Sequence, residues 1–357
     1  MLPARILVRA TNWVGDAVMS LPALQTVRRR FPEAEITVLA RPWVADLYRR
    51  EPFADRVLLY EARPGARDWQ GKWRAARRLR AGGFDAAILL PNSFESALVA
   101  WLARIPKRIG YRRDGRGPLL TDPVPRPAPG EIPRHESYYY LEMLRRAGLL
   151  EELPRVEEIR LEGAGQARRR GRERLRSEGM GPGVVGVSPG AAFGSAKRWL
   201  PERFAEAAAQ VAARTGFGVA VFGSAGEREI CETVARELAA ARIQARNFAG
   251  RTSLAEFIEL AAGCRLFLTN DSGAMHVAAA LGVPTVAVFG PTDPEATGPL
   301  GRHTRIVREP VECAPCKLRE CPIDHRCMTR IEAARVAEAA LQLLKQETVG
   351  GRGEGHA

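Results

Sequence analysis

Short apolar runs alternate with amphipathic stretches along the whole chain. Strands that are covered by helices on both faces form nearly continuous apolar runs, because neither face meets water. The second half repeats the alternation of the first, which predicts an α/β protein with two doubly wound parallel sheets. The predicted strands are residues 6–10, 36–40, 56–60 and 86–90 in the first half and 184–188, 219–223, 247–250, 266–270 and 285–290 in the second.

Glycine-rich sequence separates the two halves. Residues 163–183 contain a basic helix between glycines, and we interpret this segment as the interdomain boundary. The sequence therefore predicts one domain over residues 1–165 and a second over 180–330. An amphipathic helix is expected over 331–347, and the glycine-rich residues 348–357 are expected to form a disordered tail.

Basic residues outnumber acidic ones, and the surplus is concentrated in the first half. The 357 residues include 54 Lys+Arg and 41 Asp+Glu, a formal net charge of +13. Residues 1–180 hold 34 basic and 22 acidic side chains, whereas the later residues hold 20 and 19. A nucleic-acid-binding protein is one interpretation of this charge. The aromatic content of 7% is low for that class and no RNA-binding motif occurs, so we expect no nucleic-acid partner.

The sequence contains neither a recognisable targeting segment nor a membrane span. Arg5 and Arg9 interrupt the first apolar stretch, which is not typical of a signal peptide. No tract of 18 uncharged apolar residues occurs in the chain. We therefore expect a cytoplasmic protein.

Four of the six cysteines lie within 15 residues, at Cys313, Cys316, Cys321 and Cys327. Four thiolates at this density suit a structural zinc ion or an iron–sulfur cluster. Their spacing matches neither a zinc ribbon nor a ferredoxin, so a structural metal and free thiols both stay open. No open set of histidine and carboxylate ligands accompanies them, so a catalytic metal is not expected.

Doubly wound folds bind ligands in the loops that follow the strands. After the first strand, Gly15 allows a tight turn, and Asp16 is either a helix N-cap or a general base. A GxGxxG pattern is missing from this loop, which disfavours a dinucleotide site. The nearby Asn12, together with Asn92 and Ser93 after the fourth strand, can hydrogen-bond sugar hydroxyls. A turn with an N-cap is the alternative for the last two.

Three loops of the second half favour an anionic ligand. Lys197 lies among small residues whose backbone can cradle a diphosphate without a metal. Glu227 follows a strand and either accepts the hydroxyls of a ribose or favours a helix N-terminus. Another helix begins with four residues that favour an anion, namely Asp271, Ser272, Gly273 and His276. For His276, a buried structural role is the alternative.

Five motifs occur in an order that is familiar from a known family. They are WVGD, LPNSF, PGAAFGSAKRW, FGSAGERE and TNDSGAMHVAAALGVPTVAVFGPTDP. Together they resemble glycosyltransferase family 9, the bacterial ADP-heptose:lipopolysaccharide heptosyltransferases, and within it the type II members, over residues 4–345. The resemblance implies a GT-B fold. In that fold an acceptor-binding Rossmann-like domain precedes a nucleotide-sugar-binding one, a cleft separates them, and the last helix crosses back toward the first.

The resemblance implies an inverting transfer of L-glycero-D-manno-heptose from ADP-heptose to the first heptose of the inner core, on heptosyl-Kdo2-lipid A. Asp16 would act as the general base, Lys197 would neutralise the donor diphosphate, and Glu227 would hold the adenosine ribose. Asp271 and the residues that follow it would frame the phosphates and the heptose. No cofactor is required for this chemistry. Type I or III transfer, or another acceptor, stays open because the acceptor loops over 92–135 are hard to interpret.

The resemblance also offers an explanation for the uneven charge. A phosphorylated lipopolysaccharide precursor and the anionic leaflet that carries it would attract an arginine-rich first half. We therefore expect a peripheral enzyme at the cytoplasmic face of the inner membrane.

Overall fold

The computed structural model describes residues 3–65 and 68–350, with side chains up to residue 346. The chain divides into two compact units, Met1–Val156 and Glu157–Ala357. Each unit contains a six-stranded parallel sheet flanked by helices, which confirms the predicted α/β class. Across the described ranges, none of the helices combines the length and the hydropathy needed to cross a lipid bilayer.

The first unit is a Rossmann-like fold. Its strands are β1 Arg5–Arg9, β2 Glu35–Ala40, β3 Arg56–Leu59, β4 Ala86–Leu89, β5 Lys107–Tyr111 and β6 Asp122–Val124. Their order in the sheet is β3-β2-β1-β4-β5-β6, and each neighbouring pair is parallel. The central strand β1 is buried on both sides, with Val8 opposite Val38 of β2 and Ile88 of β4.

Six α-helices accompany the first sheet. They are α1 Val14–Met19, α2 Leu21–Arg30, α3 Pro42–Tyr48, α4 Trp69–Ala81, α5 Phe94–Leu102 and α6 Ser137–Arg146. Helices α4 and α5 pack against each other. Leu79 of α4 and Val99 of α5 share one apolar cluster with Leu7 of β1, so both helices cover the same part of the sheet.

The second unit repeats the topology. Its strands are β7 Val184–Ser188, β8 Gly218–Val221, β9 Ala245–Asn247, β10 Leu266–Asn270, β11 Thr285–Phe289 and β12 Thr304–Arg308, in the sheet order β12-β11-β10-β7-β8-β9. Its helices are α7 Ala164–Ser177, α8 Pro201–Thr215, α9 Arg228–Ala240, α10 Leu254–Gly263, α11 Gly273–Ala280, α12 Pro294–Thr297, α13 Arg326–Thr329 and α14 Ala333–Gly350. The strands β7, β10 and β11 are buried along their whole length.

The basic helix α7 lies inside the second unit, although the sequence suggested that its segment separates the two domains. It packs closely on α10, because a Cβ atom at Gly171 would lie 1.8 Å from the carbonyl oxygen of Glu259. Arg174 adds an ion pair with the Glu259 carboxylate at 2.7 Å. The division therefore falls before α7, after Val156, where the sequence shows no change of composition.

The sequence pattern missed three strands, namely β5 and the two edge strands β6 and β12. Strand β6 lies in the aperiodic stretch 112–135, where Pro123 is tolerated because an edge strand needs fewer backbone donors. Strand β12 is largely exposed and so lacks an apolar run. The strand expected at 247–250 is β9 instead, which ends at Asn247.

Helix α14 packs against α8 and against the strands β10, β11 and β12 of its own unit. Its expected crossing toward the first domain stays a prediction. The helix continues to Gly350, so the first three residues of the expected tail are helical. Residues 351–357 lie outside the described residues.

Candidate functional site

In each sheet the strand order reverses direction beside the first strand of the unit. The reversal lies between β1 and β4 in the first sheet and between β7 and β10 in the second. In open α/β sheets, ligands bind at such a switch point, outside the carboxyl ends of the two strands. The loops singled out in the sequence follow these strands: Asp16 and Asn92 in the first unit, and Lys197 and Asp271 in the second.

Asp16 lies in the first turn of α1 but is not its N-cap, because that position belongs to Trp13. Its half-buried carboxylate is therefore not required to begin the helix. Burial and the charge of Asp16 raise the pKa of Glu136 to about 7. Burial, followed by the charges of Asp16 and Glu136, also raises the pKa of Tyr140. The two carboxyl groups thus belong to one acidic cluster, of which the sequence analysis identified only Asp16.

The three expected acceptor residues have different partners. The Asn12 side-chain oxygen accepts a hydrogen bond from Arg9 at 2.8 Å. The Asn92 amide donates to the Tyr139 hydroxyl at 2.9 Å, while its buried Oδ1 has no hydrogen-bond partner among the described residues. Ser93 is the N-cap of α5, and its hydroxyl accepts from the backbone of Ser96. Asn92 Oδ1 is therefore buried without a partner among the described residues, whereas Ser93 has the capping role that was its alternative.

Lys197 and Asp271 form an ion pair at the switch point of the second unit. The lysine Nζ lies 2.6 Å from Asp271 Oδ2, and their side chains are 13% and 4% exposed. Thr292 donates a second hydrogen bond to the same oxygen at 2.6 Å. The Lys197 charge is therefore compensated within the protein. An incoming anion would meet an ion pair with no net charge, and it would share Lys197 with the Asp271 carboxylate.

Helix α11 begins directly beside this ion pair. Ser272 is its N-cap residue in an extended conformation without a side-chain cap, and Gly273 is the first helical residue. The Ser272 hydroxyl lies 3.2 Å from that of Thr269. His276 lies in the first turn and is buried. The first backbone N–H groups of a helix have no partner within the helix, which favours an anion at this end.

Asn270, the last residue of β10, connects the two loops of the second switch point. Its amide nitrogen donates to the carbonyl oxygen of Pro189 at 2.7 Å. Its side-chain oxygen accepts from the backbone N–H of Trp199 at 2.9 Å. The loop that carries Lys197 is therefore fixed to the strand that precedes Asp271.

Glu227 forms a capping box with Ser224. Its Oε2 accepts from the Ser224 backbone N–H at 2.8 Å and from the Ser224 hydroxyl at 2.7 Å. The other carboxylate oxygen lies over Gly190, where a Cβ atom would approach it to 2.1 Å. Glu227 thus has the structural role that was its alternative, and its second oxygen faces the loop after β7. Binding of a ribose stays a prediction.

The cysteine-containing segment packs against the Lys197 loop. The Ala196 backbone donates to the Arg319 carbonyl at 2.9 Å, and the His325 ring nitrogen Nε2 lies 2.8 Å from the Ala196 carbonyl. The Lys197 ammonium and the Arg319 guanidinium both lie over the Phe193 ring, at 5.0 and 5.1 Å from its centroid. The segment therefore supports the cationic loop. The amino-acid sequence contains no local signal that Arg319 or Phe193 would lie beside Lys197.

The four clustered cysteines are not bonded to one another. Cys313 and Cys316 are exposed, whereas Cys327 is buried. Burial and the neighbouring thiols raise the pKa of Cys327 to about 11. Within the described part of the chain, no three His, Cys, Asp or Glu side chains converge in a geometry that could hold a metal ion. A structural metal at these four cysteines therefore stays a prediction.

Two Rossmann-like units in one chain are the architecture of a GT-B glycosyltransferase, the class that the motifs implied. The sequence profile of glycosyltransferase family 9 (heptosyltransferase) matches residues 72–326. The chain therefore belongs to glycosyltransferase family 9, as the motifs indicated.

Individual relatives agree with this assignment. Lipopolysaccharide heptosyltransferase 2 of Salmonella typhimurium is 34% identical, over 97% of this chain and 100% of that protein. Lipooligosaccharide heptosyltransferase 2 of Haemophilus ducreyi is 31% identical, over 95% and 99%. The solved structure of E. coli ADP-heptose LPS heptosyltransferase II has a TM-score of 0.79 at 32% identity, and the match covers 96% of this chain and 99% of that one.

Proposed function

We propose that this enzyme transfers L-glycero-D-manno-heptose from ADP-heptose to the first heptose of the lipopolysaccharide inner core. The names of the heptosyltransferase 2 relatives, which match over nearly their whole length, support this donor and this acceptor. The observation that carries the proposal is the different chemistry of the two switch points. One presents a half-buried carboxylate, Asp16, and the other presents the Lys197–Asp271 pair at the start of α11.

The second unit binds the donor in this proposal. The diphosphate lies at the N-terminus of α11, where Ser272 and Gly273 present backbone N–H groups. The Lys197 ammonium is shared between Asp271 and the phosphate oxygens. His276 lies in the first turn of α11, beside the phosphates. Glu227 accepts the hydroxyls of the adenosine ribose through the carboxylate oxygen that faces Gly190. Helix dipole and lysine together stabilise the departing ADP, so no cofactor takes part.

The first unit activates the acceptor. The Asp16 carboxylate takes the proton of an acceptor heptose hydroxyl while that oxygen attacks the anomeric carbon of the donor. The new C–O bond forms as the bond to ADP breaks on the opposite face, which inverts the anomeric configuration. In this proposal Asn12 and Asn92, which are both partly exposed, hydrogen-bond the acceptor sugar. Ser93 contributes through its backbone, because its hydroxyl caps α5.

The acceptor also sets the place of action. Heptosyl-Kdo2-lipid A is anchored in the cytoplasmic leaflet of the inner membrane, so the enzyme works there as a peripheral protein. The surplus of arginine in the first unit favours this anionic surface.

Purified enzyme with ADP-heptose and two defined acceptors tests the proposal. We expect transfer to the acceptor that carries one heptose, with inversion at the transferred sugar, and none to the acceptor without heptose. Transfer only to the heptose-free acceptor would instead assign type I activity. Failure with both acceptors, while a heptosyltransferase of known activity succeeds in the same assay, would overturn the proposed function.

The cysteine segment has a test of its own. Elemental analysis of protein purified without chelators measures zinc and iron per chain. A stoichiometric metal would show that Cys313, Cys316, Cys321 and Cys327 rearrange into a structural site. Its absence would leave the packing described above as the role of the segment.

A further inference from the structure

Tryptophan is distributed very unevenly between the two units. Five of the six tryptophans belong to the first unit, and their side chains are between 48% and 61% exposed. The sixth, Trp199 of the second unit, is fully buried. Single exposed apolar side chains are common, but a group of large aromatic ones on a folded surface marks an interaction site.

Several of these side chains lie on the packed pair of helices α4 and α5. Trp69 and Trp73 are one turn apart on α4, so they lie on the same side of that helix. Phe94 and Trp101 are two turns apart on α5, and both are exposed. Because α4 and α5 contact each other, the four side chains belong to one helical layer. We call this surface the aromatic face.

The aromatic face is also strongly cationic. Helix α4 has four exposed arginines and no acidic residue. They are Arg74, Arg77, Arg78 and Arg80. The remaining cation of this helix, Lys72, is buried 3.4 Å from Glu95 and donates to loop carbonyls, so it is not part of the surface. The whole first unit holds 27 Lys+Arg and 17 Asp+Glu, so the unit that carries these arginines is itself cationic.

Exposed indoles beside arginines are the combination that suits the interface of an anionic bilayer. Indole rings favour the headgroup level, where one part of the ring is in an apolar medium and the N–H stays hydrated. Guanidinium groups bind lipid phosphates, often in a bidentate manner. A protein partner would have to offer a matching acidic apolar surface, whereas an anionic bilayer offers both features everywhere.

We propose that the aromatic face of α4 and α5 docks the first unit on an anionic lipid bilayer. Trp69, Trp73 and Trp101 enter the headgroup region, and the arginines of α4 pair with lipid phosphates. The inference rests on the proposed function in one respect, since a lipid-anchored acceptor brings the enzyme to a bilayer. It adds the surface that makes the contact.

Co-sedimentation of the full-length protein with vesicles tests the docking surface. We expect binding to vesicles of phosphatidylglycerol and phosphatidylethanolamine and much weaker binding to phosphatidylcholine. Replacing Arg74, Arg77 and Arg78 with Gln should weaken the binding about 100-fold, because each cation near an anionic leaflet contributes about fivefold. Replacing Trp69, Trp73 and Trp101 with Ser should weaken it by at least about tenfold, and should abolish the quenching of tryptophan emission by brominated lipids.

Helix α7 provides the matched control, because it is basic and exposed but contains no tryptophan. Replacing Arg169, Arg172 and Arg176 with Gln removes the same charge and should leave vesicle binding nearly unchanged. Equal loss in the α4 and α7 variants would reveal unspecific attraction to net charge and overturn the proposal. Lack of wild-type binding to the anionic vesicles would overturn it as well.

Activity separates the docking surface from the proposed function. With a water-soluble, deacylated one-heptose acceptor, the tryptophan variant should turn over at the wild-type rate, whereas with an acceptor embedded in vesicles it should be slower. An equal loss with both acceptors would mean that the face binds the acceptor sugar rather than the bilayer, which contradicts the proposal. Absence of transfer by the wild type would contradict the proposed function alone, because vesicle binding is measured without substrate.

Discussion

The switch points of the two units share a topology and differ in charge. In the first unit, burial and the charge of Asp16 raise the pKa of Glu136 to about 7, so two carboxyl groups lie near each other there. In the second unit, Asp271 is paired with Lys197 at 2.6 Å and receives a hydrogen bond from Thr292. In the function that we propose, the same strand order therefore serves proton transfer in one unit and anion binding in the other.

The difference has a physical origin in the second loop of each switch point. The loop after β7 brings Lys197 to Asp271, because Asn270 fixes that loop to the end of β10. The corresponding loop of the first unit, after β4, brings Asn92, which is neutral. A carboxylate near another acid binds protons more readily and is a stronger base than one that is paired with a cation.

The largest effect that this comparison predicts is the loss of transfer in Asp16→Asn. The amide keeps the size of the side chain but cannot accept a proton from the acceptor hydroxyl. General-base catalysis contributes about 10²–10⁴-fold, so we expect kcat to fall by that factor. Steady-state kinetics with the one-heptose acceptor measures the change.

ADP binding serves as the internal control for this variant. Because Asp16 belongs to the unit that does not bind the donor in our proposal, calorimetry should give an unchanged Kd for ADP. A variant that retains full activity would contradict the general-base role, and one that loses both activity and ADP binding would contradict the division of labour between the units.

A smaller effect is expected from the ion pair of the second unit. Lys197→Ala removes a charge-assisted contact to the diphosphate, which should weaken ADP binding by about 1.5–3 kcal/mol. It also leaves Asp271 buried without its cation, so the variant should be less stable to denaturant by about 3–5 kcal/mol.

The double variant Lys197→Ala, Asp271→Asn separates the two roles of the lysine. Removing both charges should recover most of the stability, since no unpaired charge remains buried. If Lys197 contacts the diphosphate, ADP binding stays weak in the double variant. Full recovery of ADP affinity would instead mean that the lysine only neutralises Asp271, and our donor geometry would be wrong in this respect.

The sequence predicted the central strands well because they are buried on both faces. β7 and β10 coincide with the predicted runs, since a strand inside a parallel sheet is apolar at every position. The edge strands β6 and β12 were missed because their side chains partly face solvent and the apolar run disappears. The boundary near Val156 was missed because the close packing of α7 on α10 is a tertiary contact between segments distant in sequence.

The residues of the site could likewise be predicted only where local sequence determines their position in the fold. Asp16, Lys197 and Asp271 could be found because they lie in the segments that follow β1, β7 and β10, and position along the chain then implies position at the carboxyl edge of the sheet. Glu136 and Arg319 could not be found, because long irregular segments bring them to these loops through tertiary packing. The sequence alone also left open whether Ser93 and Glu227 cap helices or bind ligands, since the same residue types do both.

The smallest predicted effect concerns Glu136 and the pH dependence of stability. Its pKa is raised from 4.5 to about 7 by burial and by Asp16. Between these values the unfolded chain releases the proton and the folded protein retains it, so stability falls as the pH rises through this window and is level above it. Glu136→Gln cannot ionise. It should therefore flatten this fall and be more stable than the wild type above pH 7, by about 1–3 kcal/mol in urea unfolding.

Glu142 on the same helix provides a control of opposite sign. Arg145 and Arg146 hold the pKa of the Glu142 carboxyl below its usual value, with ion pairs at 2.7 and 2.5 Å. Its contribution to stability is therefore present above the unfolded pKa and is lost as the pH falls through the lower folded value. Glu142→Gln should destabilise the protein at pH 7, whereas Glu136→Gln stabilises it. Identical pH profiles for the two variants would mean that Glu136 does not sense Asp16, and the acidic character of the first switch point would then rest on Asp16 alone.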